Sequence, residues 1–190
     1  MEITSRGLWT LIHGMGFGAL YLLACSGALV ELHFITRSPR SAVNGTGSER
    51  FLKVYLVVMA ALAWFAVLSG AYVIYPWYRA VPTAANPNLA MFPQRFLISS
   101  SSTAGWHSFG MEWKEYVAWF APISITMVAF VFLRYGRDLG KHRHLRGAVL
   151  CFALIAFLTG AVAGLLGALI NKQAPVQGGH IIRLVTEGQQ

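Results

Sequence analysis

Four long apolar runs decide most of what this chain can fold into: Gly7–His33, Phe51–Trp77, Ser108–Arg134 and Gly147–Lys172. A helix needs about 20 apolar residues to cross ~30 Å of hydrocarbon. Each run exceeds that by two turns at most, which modest tilt or interfacial ends absorb. Only helices and closed barrels satisfy their backbone in lipid, and barrel strands alternate where these runs do not. The expected fold class is therefore all-α, an integral membrane four-helix bundle spanning residues 1–172, followed by a polar tail over 173–190.

Composition agrees. Of the 190 residues, 56% are hydrophobic and only 12% charged, and the mean hydropathy is +0.55. The charged share is about half that of a soluble domain. A soluble fold of this size has no interior large enough for so much apolar surface. A disordered chain and a disulfide-stapled secreted domain are excluded on the same ground. Leu22-Leu23-Ala24-Cys25 loosely resembles a lipoprotein cleavage box, but the apolar stretch continues to Leu32, so the first run is read as a retained span. Cys25 and Cys151 both fall within spans, where a free thiol packs as a small apolar group.

Basic residues set the expected orientation. Arg37, Arg40, Arg50 and Lys53 follow the first run, and Arg134, Arg137, Lys141, Arg143 and Arg146 follow the third, which is nine of the fifteen Lys and Arg. Short basic loops stay in the cytoplasm, so both termini are expected outside, in a multi-pass protein of the cell's inner (plasma) membrane. Trp9, Tyr75, Trp77, Tyr78, Trp106, Trp113 and Trp119 gather near the outer ends as an interfacial belt, with Trp64 alone mid-membrane. The net charge of +8 is accounted for by this asymmetry and by anionic lipid, with no nucleic acid partner implied. Residues 79–107 form the external connection, rich in Pro and Ser. Connections that long are usually functional or docked. Pro122 should kink the third span, and the tail after Gln173 should be flexible unless a partner holds it.

Chemistry centres on histidine. His13 lies about two turns into the first span and His107 opens the third, both toward the outer face. His33 ends the first span and His142 and His144 precede the fourth, at the inner face. Two imidazoles from different helices at one depth are what haem iron in a bundle requires. Gly14, Gly16 and Gly18 follow His13, and Gly105-Trp106-His107-Ser108-Phe109-Gly110 surrounds His107, giving bare backbone and aromatics beside each ring. Ordinary helical rise puts His107 about 10 Å outward of His13, so tilt or a deeper start of the third span is needed for them to share a haem. The competing reading is tight packing, since the glycine run is also a small-xxx-small pattern. His142 and His144 sit in a solvated basic loop on that reading, and His180 in the tail is uninvolved. Glu112 and Glu115 share a helix face, with Lys114 pointing elsewhere. Buried, they would relay protons or bind a quinol head group; at the surface they anchor the helix in the headgroups.

Other chemistries lack their residues. A phosphate-binding glycine loop, HExxH, paired CxxC and CxxCH are all missing, so a covalent c-type haem is excluded. Asp138 is the only aspartate and lies in the inner loop, which leaves Ser/His/Asp catalysis without support.

His13 in its glycine run, His107 at the opening of the third span, and the inner His33 and His144 resemble the four-helix membrane cytochrome b subunits of respiratory oxidoreductases. The resemblance is architectural and covers the four spans. It implies a subunit of a larger complex, carrying one haem b or two, with His13 and His107 on an outer haem and His33 with His144 on an inner one. It implies electron passage between a quinone pool and an external cytochrome or iron–sulfur protein. The second run departs from the best-known members in having no histidine. The alternative is a cofactor-free membrane anchor or structural subunit, and a third reading is a small proton or ion carrier using Glu112 and Glu115.

Overall fold

The computed structural model describes residues 2–37 and 46–183. Helix α1 (Ser5–Phe34) and α2 (Glu49–Tyr78) are followed by a connection holding the short helix α3 (Pro93–Ile98). Helices α4 (Ser101–Tyr135) and α5 (Arg143–Gln173) complete the set. Four of these five are long and apolar enough to cross a membrane. Arg40, expected on the first basic loop, lies outside the described residues.

The helices pack in the cyclic order α1, α2, α4, α5 and back to α1. Their shared core reads off a helical stripe on each: Tyr21, Cys25, Ala28 and Leu32; Leu52, Leu56, Met59 and Ala63; Ile125, Val128 and Phe132; Val149, Ala153 and Ala156. In lipid there is no water to expel, so close approach of small residues and interhelical hydrogen bonds hold such a bundle. Both are present. Tyr21 donates to the Ala156 carbonyl at 2.9 Å, Tyr55 to the Ala24 carbonyl at 2.7 Å, and the Trp64 indole to Thr126 at 3.0 Å. Each such bond contributes roughly 0.6 kcal/mol in a membrane. Gly160 makes the first possible: a Cβ there would stand 2.8 Å from the Tyr21 ring.

The third crossing begins at Ser101, seven residues before the expected Ser108, because Ser100 caps its first turn with a side-chain oxygen on the Ser102 N–H. Pro122 acts as expected on its backbone. It lacks the N–H that would bond the Ala118 carbonyl, which accepts from Ala121 instead, and regular helix resumes at Phe120.

Four segments are wound as π-helix: Ile12–Ala19 in α1, Gly70–Ile74 in α2, and Trp106–Met111 and Trp113–Val117 in α4. All lie in one half of the bundle. Such wide turns are rare and concentrate at functional sites.

That half also carries both described chain ends. Strand β1 (Glu2–Thr4) pairs antiparallel with β2 (Ile181–Arg183), Ile3 opposite Ile182. The Ser5 N–H donates to the His180 carbonyl, and the His180 N–H to the Ser5 hydroxyl. Gly178 and Gly179 have φ of 100° and 87°, which lets the strand turn back over Ser5 and Arg6. Ala174 and Val176 bury themselves against Tyr78, Leu97, Met111 and Ile170. Residues 174–183 are thus docked on the bundle, where the sequence suggests a flexible tail.

Candidate functional site in the terminal half of the bundle

The π-wound segments surround a set of polar groups. His13 projects from α1 onto α2. Its Nδ1 is 3.0 Å from the Ser69 hydroxyl, which itself donates to the Ala66 carbonyl at 3.2 Å. The Ser69 hydroxyl has one hydrogen to give, to the Ala66 carbonyl or to Nδ1, and the His13 tautomer follows that choice. The Ala66 carbonyl is also within hydrogen-bond reach of the His13 ring. The ring rests on Gly70, where a Cβ would stand 2.8 Å from Cε1.

Lys114 reaches the same region from α4. Its Nζ lies against Gly167 of α5, whose added Cβ would be 2.8 Å away, and it is within electrostatic reach of His13. Among the described residues no hydrogen bond or ion pair engages this ammonium. Its side chain is half-buried. The neighbouring Trp113 indole N–H is buried and also lacks a partner among the described residues.

Further toward the chain ends lies a second polar group. The Gln94 amide nitrogen, a donor only, is 3.2 Å from Nε2 of His107, so Nδ1–H donates to the Tyr78 oxygen at 2.8 Å. Arg79 donates to the Tyr75 hydroxyl at 2.8 Å, and Glu115 interacts with the same hydroxyl. Glu112, Glu115 and Arg79 all lie within electrostatic reach of His107.

The histidines expected to act together are thus placed apart. His13 is held at Ser69 and His107 at Tyr78, nine residues along α2, or about 13 Å at helical rise. His33 is exposed on α1, its ring 6.1 Å from that of Phe34, and His144 is exposed in the first turn of α5. His142 meets Tyr135 edge-on, and His180 holds Ser5. Glu112 is exposed and Glu115 partly buried. Lys114 lies on the side of α4 away from the exposed Glu112, as regular spacing implies, and it is the residue that reaches Gly167 of α5. Ser69 and Gln94 carried no sequence signal beyond polarity, and Tyr75 and Tyr78 only that of an interfacial aromatic belt. Lys114 carried one, an ionisable residue beside an apolar run.

Haem is the group the cytochrome resemblance implies, and these residues fit half of its needs. His13 offers one imidazole for an axial bond, its Nδ1 held 3.0 Å from the Ser69 hydroxyl and its Nε2 without a hydrogen bond among the described residues. His107 does not fit as its partner, since both ring nitrogens are engaged and the ring sits at another level. Among the described residues no group of three or more His, Cys, Asp or Glu side chains is placed to hold a metal ion.

Comparison with protein families, with curated proteins and with solved structures finds no match for this chain. The class it belongs to rests on the fold itself, a helical bundle with four crossings long and apolar enough for a multi-pass membrane protein.

Proposed function

We propose that the protein is a subunit of a membrane redox complex, passing electrons between a quinone pool and an external cytochrome or iron–sulfur protein. The observation that carries this reading is the series of titratable groups in one half of the bundle. It runs from Lys114 and His13 in the interior to Tyr75, Glu115, Tyr78 and His107 near the chain ends, where the permanent cation of Arg79 donates to Tyr75. Quinone chemistry moves protons with electrons and needs such groups within the hydrocarbon. A structural anchor has no use for an interior cation, which costs several kcal/mol unless compensated. By the positive-inside rule, we read the basic loops as setting this half toward the outer side of the inner membrane. There the 79–107 connection and the β1–β2 ribbon offer the partner a surface.

A second reading, one haem b held through His13, is favoured by the imidazole lying against Gly70 of α2, with only Nδ1 in a side-chain hydrogen bond. It would make the chain a cytochrome with a single protein ligand from this set.

Purified protein in nanodiscs tests both. Saturable binding of short-tailed benzoquinone or naphthoquinone, above that of empty discs, is the expected result for the leading reading. A Soret band that His13→Ala abolishes would establish the haem. A colourless protein that binds no quinone would overturn both and leave the cofactor-free anchor.

A further inference from the structure

The geometry points to a binding site for one anionic phospholipid between α4 and α5, at the end of the bundle opposite the β1–β2 ribbon. An acyl chain lies in an apolar groove there, and the phosphate sits against Arg134, His142 and Arg143. The site stands apart from the quinone reading above.

The groove has a volume of about 200 Å³, and every side chain lining it is apolar. Buried Val128 forms its floor, and Val131, Leu145 and Ala148 stand along it. Met127 and Phe152 also line it and are 45% and 40% exposed, so it opens toward lipid. On α5 it extends from Leu145 to Phe152, about 10 Å at helical rise. A partner's crossing helix would need a seat along ~30 Å of hydrocarbon. Part of an acyl chain needs no more than the groove provides.

One end of this groove is cationic. Tyr135 stands one turn beyond Val131 on the same face of α4. The Arg134 guanidinium lies over the Tyr135 ring, 5.8 Å from its centre, and the His142 ring meets it edge-on at 5.5 Å. His142 is one turn before Leu145, and Arg143 follows it directly. Tyr135 and His142 thus join α4 to α5 across the mouth of the groove, with an arginine beside each. All four side chains are exposed. Residues 134–146 hold five Lys or Arg against a single Asp. Lys141 engages that Asp, with Nζ 2.6 Å from Asp138. Among the described residues neither Arg134 nor Arg143 is in an ion pair.

An apolar groove that ends on unpaired cations fits an occupant with an apolar body and an anionic head, lying along the helices. A phospholipid of the surrounding leaflet has that form. Guanidinium meets phosphate through paired N–H donors, and the His142 ring and Tyr135 hydroxyl add single ones. Basic pockets between crossing helices hold anionic headgroups in this way. The acyl chain only exchanges one apolar medium for another, so the groove fixes its position and the charges supply the preference.

Native mass spectrometry of the full chain in detergent tests the site, by titration with dioleoylphosphatidylglycerol and with dioleoylphosphatidylcholine. The two lipids share their chains and differ in net charge. One phosphatidylglycerol should bind about fivefold or more tighter than phosphatidylcholine, the scale of one cation near a headgroup. Arg134→Gln and Arg143→Gln should each weaken phosphatidylglycerol about fivefold. Arg50→Gln, at an exposed position of α2 at the same end of the bundle, should leave it unchanged. Ala148→Phe fills the groove without altering charge and should weaken binding by a similar factor, whereas Leu158→Phe, at an exposed position further along α5, should not. Should Ala148→Phe fail to assemble, Ala148→Leu serves in its place. Equal affinity for the two lipids overturns the site. A loss with Arg50→Gln as large as with Arg134→Gln overturns it too, as does phosphatidylglycerol binding that the groove-filling variant leaves intact.

Discussion

The imidazole of His13 lies directly on the backbone of Gly70, with 2.8 Å between Cε1 and the position a Cβ would take. The ring cannot swing aside, because Ser69 holds its Nδ1. Gly70→Ala should therefore destabilise the bundle by about 1–3 kcal/mol through overpacking. Thermal unfolding in detergent measures this, and an unchanged midpoint would show that the ring is not fixed there.

Gly167→Ala should behave differently, although the added carbon comes equally close to its neighbour. That neighbour is the tip of Lys114, a flexible chain that can move. The stability change should stay below about 1 kcal/mol, within the range of a mild substitution. A loss as large as that of Gly70→Ala would mean that the ammonium is pinned.

The β1–β2 ribbon predicts a cross-link. Ile3 and Ile182 are opposite each other, and facing strand residues have Cα atoms about 4.5–5.5 Å apart, within disulfide range. In a background with Cys25→Ala and Cys151→Ala, the double variant Ile3→Cys, Ile182→Cys should oxidise within one chain, seen as protection of both thiols from alkylation until reductant is added. Two freely alkylated thiols in that background would exclude the ribbon.

For orientation, a cysteine at Asn88 should react with an impermeant maleimide added to intact cells, and one at Gly140 only after permeabilisation. The opposite pattern would turn the protein over in the membrane and move the polar half to the cytoplasmic side.

The four crossings were legible because hydropathy over twenty residues depends on composition, and neighbours cannot alter it. The site was not legible in the same way. Spacing set Lys114 opposite Glu112, but which of these two faces turns to α5 depends on packing between distant segments, and it is the Lys114 face, against Gly167. The separation of His13 from His107 was foreseeable in rough size from helical rise. What the sequence leaves open is which partners fix each ring, since Ser69, Tyr78 and Gln94 come from segments far along the chain. The ribbon escaped because three residues are too few for an alternating pattern to be recognised. Its only cue was Gly178-Gly179, which reads as a turn and not as a strand's approach.

The pairing of Glu2–Thr4 with Ile181–Arg183 also bears on biogenesis. The first strand leaves the ribosome with nothing to bind, and its partner emerges only after the last crossing has been made. Long-range contacts of this kind close late, since the loop entropy must be met first. The ribbon is therefore a seal applied at the end of insertion, and its presence in a nascent chain marks a molecule whose helices are all in place.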